Sequence, residues 1–142
     1  MPYATLQQLT DRFGEQMLLN LTDRAVPPAG EIDPVVVTRA LADTDAAIDG
    51  YLAGRYALPL AQVPPRVVDL ALTIAVYKLH PFEPDPKITR DYEQAMKALL
   101  AISRGEERLP LEGAEPAATG NSGVVTNDRA RPFTEDNLKG FI

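Results

Sequence analysis

The side chains in this sequence that could act as acids, bases or ligands are few and scattered. His80 is the single histidine and cysteine is absent. That excludes a multi-histidine or thiolate metal centre within one chain, and any disulfide framework. His80 directly precedes Pro81, at the expected end of an apolar helix, so capping or surface packing is a better expectation for it than catalysis. Asp43, Asp45 and Asp49 are the residue type that holds a cation. No glycine-bearing calcium loop surrounds them, and a solvated helix face accounts for them more simply. Gly120-Asn121-Ser122-Gly123 lacks the following lysine and strand–helix context of a phosphate loop. No nucleophile, base and orienting group form a recognisable set. The expectation is a protein with no catalytic, cofactor-binding or metal site.

Arg55 and Tyr56 point to recognition instead. They lie in YLAGRYALPLAQVPP, Tyr51 to Pro65, a loop rich in aromatic residues, Gly and Pro that can hold a shaped surface without regular structure. In one reading Tyr56 fills the edge of a helical bundle and Arg55 caps the carboxyl end of the preceding helix. In the other both anchor a protein interface, where Arg and Tyr carry a large share of binding energy. The two readings are compatible.

The elements that position this loop are helical. Thr5-Leu6-Gln7-Gln8 fits a capping box, followed by Leu6, Leu9 and Phe13 on one face and by Gly14, which ends or kinks the helix. A short second helix, 15–21, carries Met17, Leu18 and Leu21, and a loop with Pro27, Pro28 and Gly30 follows. Asp33-Pro34 is a helix start with Asp as N-cap and Pro at the first position. That helix runs to about Leu52 with Val37, Leu41, Ile48 and Tyr51/Leu52 as its buried stripe, and its Ala-rich interior suits close helix packing. The next helix, from Pro65 to about Leu79, is apolar nearly all round except for a strip of Arg66, Asp69 and Thr73, which marks it as the buried helix of a bundle. Asp85-Pro86 starts the last one, about 87–104, with Ile88, Tyr92, Ala95/Met96, Leu99 and Ile102 on one face. Glu93 and Lys97 are spaced as an ion pair, and Gly105 is placed as its C-cap.

From Glu106 onward Pro, Gly, Asn and Ser dominate, with Val124-Val125-Thr126 as a brief extended segment. Phe133 to Leu138 reads as a capped helical turn stapled by those two residues, and Phe141 and Ile142 follow. A polar arm carrying Phe133, Leu138, Phe141 and Ile142 has an apolar destination in its own chain or another. The fold class expected is an all-α bundle of about four to five helices over 1–105, with an extended C-terminal arm over 106–142 carrying a short strand or helical turn.

A net charge of −6 argues against a general DNA-binding surface, because Lys and Arg must replace phosphate counterions. The N-terminus has no basic region followed by an apolar core, and the longest apolar run, 67–79, is broken by Asp69, Thr73 and Lys78. A soluble cytoplasmic protein with no membrane contact is expected.

Several pieces together resemble a known family. MPYATLQQLTDRFGEQML, ALADTDAAIDGYLAGRYALPL, VPPRVVDLALTIAVYKL, RDYEQAMKALLAISRGE and RPFTEDNLKGF are similar to the Mu-like prophage family of small head–tail connector (adaptor) proteins, GRYALPL being the most specific. The resemblance covers nearly the whole chain. It implies a non-enzymatic virion protein forming a twelve-subunit ring beneath the capsid portal, with DNA passing through the lumen unbound and head-completion or tail proteins docking below. It places the protein at the head–tail junction, and in the host cytoplasm before assembly. The arm would then reach a neighbouring subunit or the portal, with Arg55, Tyr56, Phe133, Leu138, Phe141 and Ile142 as interface residues. One departure is Thr73-Ile74-Ala75-Val76, where the family often carries Asp and Arg around the Ile-Ala pair. An alternative from another class is a small phage-encoded binding module or regulator that captures a host protein through Arg55 and Tyr56.

Overall fold

In a computed structural model the fold is described for residues 2–111. Among them are five helices and no strand: α1 (Leu6–Phe13), α2 (Glu15–Thr22), α3 (Pro34–Leu52), α4 (Pro65–Leu79) and α5 (Pro86–Arg104). The all-α expectation holds. The extended segment at Val124 to Thr126, the turn from Phe133 and nearly all of the arm lie outside the described residues.

Apart from α2, which starts at Gly14 without a side-chain cap, each helix begins where side chains or prolines suit its free N–H groups. Thr5 Oγ1 accepts from Gln8 N–H at 3.2 Å while Gln8 Oε1 accepts from Thr5 N–H at 2.9 Å, completing the capping box. Asp33 and Asp85 accept from Val35 N–H and Lys87 N–H at 2.9 and 3.0 Å, each followed by Pro at the first helical position. Gly14, with φ of 89°, closes α1 and opens α2 with no intervening residue. Gly105, with φ of 77°, ends α5: its N–H and that of Glu106 return to the carbonyls of Ile102 and Ala101 at 3.1 and 2.9 Å, a Schellman arrangement.

α4 is the axis of the packing. Val67, Leu70, Ala71, Leu72, Ile74, Ala75, Val76 and Leu79 are all buried along it. α3 and α5 pack on it and on each other, and α1 covers a further part. Ile48 and Leu52 from α3, Leu99 and Ile102 from α5, and Leu9 and Leu18 from α1 and α2 complete the core. Full burial of such side chains contributes roughly 1.5–3 kcal/mol each. Tyr92 stacks on Tyr77 with centroids 3.8 Å apart, fastening α5 to α4 at one level. The i,i+4 ion pair on α5 among the described residues is Lys87–Asp91 at 2.8 Å, rather than one between Glu93 and Lys97.

Two buried threonines are not marked by apolar periodicity. Thr44 Oγ1 donates to Ala40 O at 2.8 Å, which lets a polar residue sit in the α3 core. Thr22 does more: it donates to Leu18 O at 2.8 Å and accepts Asp33 N–H at 3.1 Å, tying the end of α2 to the start of α3. The loop between them folds around Asp23, whose carboxylate accepts from Ala29 and Gly30 N–H at 3.0 and 2.8 Å. Those amides, Gly30 first, hold the Asp23 carboxyl below its ordinary range. Thr22→Val should therefore lower stability by about 1–2 kcal/mol, having stranded the Asp33 N–H, whereas Thr44→Val should stay within about 1 kcal/mol of the parent. Urea unfolding midpoints of the two variants measure the contrast.

Candidate protein-interaction site

The Arg55/Tyr56 loop closes against the end of α5. Leu52 O accepts from both Arg55 N–H and Tyr56 N–H, at 3.0 and 2.9 Å, so the chain turns sharply out of α3. This turn sends the Tyr56 ring inward, where it is 3% exposed. Its hydroxyl accepts Leu109 N–H at 3.1 Å, a buried bond that joins the loop to the segment after α5. Tyr56 is thus a core residue, as the bundle-edge reading expects. The Arg55 guanidinium lies over Gly105: a Cβ built on that glycine would stand 2.5 Å from Arg55 Cζ. Arg55 therefore reaches the carboxyl end of α5, while its own N–H donates to Leu52 O at the end of α3. A cation over Gly105 meets the negative end of the α5 dipole.

A chain of charges continues from this corner. Arg66 Nε donates to Glu107 Oε1 at 2.8 Å, Arg66 lies 3.9 Å from Asp69, and Arg12 Nη1 donates to Asp69 Oδ1 at 2.8 Å. The Glu107 hydrogen bond raises the Arg66 pKa above its ordinary value. This Arg12–Asp69–Arg66–Glu107 ladder links α1, α4 and the segment after α5. Leu109, buried, packs the same segment into the core, so the described fold continues past Gly105 to Leu111.

Among the described residues the ladder borders a groove of about 1090 Å³. One wall is α1 and α2 (Phe13, Met17, Leu21), the floor is the polar strip and flanks of α4 (Asp69, Leu70, Thr73, Val76), and the other wall is α5 (Ile88, Asp91, Ala95). His80 stands at its far end. There Nδ1 donates to Val76 O at 2.7 Å and the ring meets Phe82 edge-on, which is the capping role expected of it. Arg24 donates to Leu79 O at 3.1 Å and completes that cap. Phe82 beside it and Val26, two residues after Arg24, are 66% and 98% exposed.

The aspartates of α3 serve the N-terminal segment. Asp45 Oδ1 accepts Tyr3 N–H at 3.0 Å, and Asp49 Oδ1 accepts a hydrogen bond from the Tyr3 hydroxyl. Burial, then the bond to Asp49, pushes the Tyr3 phenol up, and burial likewise raises Asp45. Only Asp43 of the three matches the fully solvated face that sequence suggests. No signal short of the fold marks Tyr3 as their partner. Phe133, Leu138, Phe141 and Ile142 lie outside the described residues, so nothing brings them together with Arg55 and Tyr56 here.

The sequence profile of the family described as Bacteriophage Mu, Gp36 matches residues 3–127. The chain belongs to the bacteriophage Mu Gp36 family. Gene product J of Escherichia phage Mu is 32% identical over 142 residues, covering 100% of both chains. Mu-like prophage FluMu protein gp36 of Haemophilus influenzae is 29% identical over 140 residues, covering 99% of this chain and 98% of that protein. The Gp36 match spans all five helices, the ladder and the groove. Among the described residues no helix is long and apolar enough to cross a membrane, and no group of three or more His, Asp or Glu is placed so that it could hold a metal ion.

Because the Tyr56 hydroxyl is the acceptor for a buried N–H, Tyr56→Phe should destabilise this member of the Gp36 family by about 1–3 kcal/mol. Faster amide exchange at Leu109 than at Leu99 in the variant would localise the loss to the segment after α5; unchanged exchange at Leu109 would contradict the assignment.

Proposed function

We propose that this protein is a structural component of a Mu-like phage particle, a head–tail connector that forms a ring under the capsid portal and joins head to tail-completion proteins. The observation that carries the reading is membership of the Mu Gp36 family across residues 3–127, in a small all-α bundle with a groove of protein-segment size. In this reading the portal, further copies of the chain and a head-completion or tail protein are the partners, twelve copies make the ring, and no reaction is catalysed. DNA passes through the lumen without specific contacts. The net charge of −6 favours a surface that does not grip a polyanion. Arg55 with its loop and the residues Phe133, Leu138, Phe141 and Ile142 supply subunit or portal contacts, while Tyr56 supports the loop from inside.

Mixing the purified protein with its cognate portal and imaging by electron microscopy tests the proposal. Rings seated on the portal are expected; no ring and no portal binding at any ratio would overturn it. A chain truncated after Gly113 should keep its helical signal and cooperative melting, because the core described above lies upstream, and should lose ring formation on the portal. Loss of cooperative melting on truncation would show that the arm belongs to the folding unit.

A further inference from the structure

We propose that the α3–α4 loop, 53–64, couples the N-terminal segment, 2–4, to the segment after α5, 105–111. Both are fastened to that loop, so loosening either one loosens the other. The coupling belongs to the free chain and holds with or without a ring.

The loop does not hold its own shape through backbone bonds. Arg55 N–H and Tyr56 N–H close its first turn on Leu52 O. From 57 to 63 the backbone makes no hydrogen bond to the backbone of another described residue. Its conformation comes from side-chain packing instead: Tyr56 and Leu60 are buried, and Leu58 and Val63 pack against the core from partly exposed positions. A segment with few backbone hydrogen bonds opens at lower free energy than the helices around it. What packs on such a segment decides where it sits.

The N-terminal segment packs on it through Tyr3. This residue is buried, its N–H donates to Asp45 Oδ1 at 3.0 Å and its hydroxyl donates to Asp49 Oδ1. Tyr3 and Asp49 also line, together with Leu58, Pro59, Leu60 and Val63, a small cavity of about 310 Å³. Side chains facing a void lack partner atoms on one side, so this part of the loop is held loosely and has room to follow Tyr3.

The segment after α5 is fastened to the other end of the same stretch. The Arg55 guanidinium lies over Gly105, in space that a Cβ would fill, and the Tyr56 hydroxyl accepts Leu109 N–H at 3.1 Å. Just past the loop, Arg66 Nε holds Glu107 Oε1 at 2.8 Å. Among the described residues no hydrogen bond or ion pair joins 2–4 to 105–111 directly. Changes at two such separate sites act independently unless an element between them carries the effect. The loop is that element. Because Arg55 stands on it, a protein that draws on Arg55 acts on both segments at once.

Each fastening is itself an amide hydrogen bond, so hydrogen exchange in the full-length protein reads both ends. Tyr3→Ala should raise the exchange rate of Leu109 N–H, relative to that of Leu99, by at least about fivefold, the lower end of typical coupling between sites. Tyr56→Phe should in turn speed exchange of Tyr3 N–H, relative to Leu99, by a similar factor. Thr22→Val, which acts at the junction of α2 and α3, is the control and should leave both ratios at their parent values. An unchanged Leu109 ratio in Tyr3→Ala would overturn the proposal, as would an unchanged Tyr3 ratio in Tyr56→Phe. An equal rise in Thr22→Val would overturn it too, since the effect would then be general loss of stability. Should Tyr3→Ala not fold, Asp49→Ala takes its place with the same outcomes: it removes the acceptor of the Tyr3 hydroxyl and puts a strong helix former into α3.

Discussion

The structure depends on burying α4. A helix with apolar side chains around most of its circumference has no stable existence beside water, so α3, α5 and α1 are held to it by the removal of that surface. What the helix cannot bury is equally decisive. Arg66 and Asp69 carry charges whose desolvation would outweigh the gain from another packed neighbour. The bundle therefore stays open along their strip, and α2 and α5 stand apart on either side of it. Core and groove are two outcomes of one residue pattern.

That pattern explains how much is legible in the sequence alone. The boundaries of α3, α4 and α5 follow from Asp33-Pro34, Pro65, Asp85-Pro86 and Gly105, because caps and prolines act through local backbone chemistry. The stripe of Leu99 and Ile102 and the strip of Arg66, Asp69 and Thr73 are likewise local in origin. The missed features all join residues far apart in the chain. Tyr3 meets Asp45 and Asp49, Thr22 receives the Asp33 N–H, Arg55 crosses to Gly105, and Tyr56 receives Leu109 N–H. Each requires the relative placement of helices, which periodicity does not encode. The groove is half legible: its polar floor is written on α4, but its walls are set by how α2 and α5 diverge.

Family membership and geometry meet at the segment after α5. Residues 106–111 read as the beginning of a polar arm by composition, yet Leu109 is buried and Glu107 is ion-paired. The arm is thus anchored to the bundle at a fixed point beside the groove.

The Arg12–Asp69–Arg66–Glu107 ladder adds a dependence on the surrounding solution. Arg12, Asp69 and Arg66 keep 40–49% of their side-chain surface exposed, so each pair is of the surface kind that contributes little on its own and is weakened by salt. At about 1 M salt the Debye length is near 3 Å, comparable to the gaps within the ladder. The apolar packing of α4 strengthens rather than weakens when surface-excluded salts are added. Ionic strength therefore acts on this protein selectively: it loosens the hold on α1 and on the root of the arm while the core remains intact, making the composition of the medium a control on how firmly the arm is rooted.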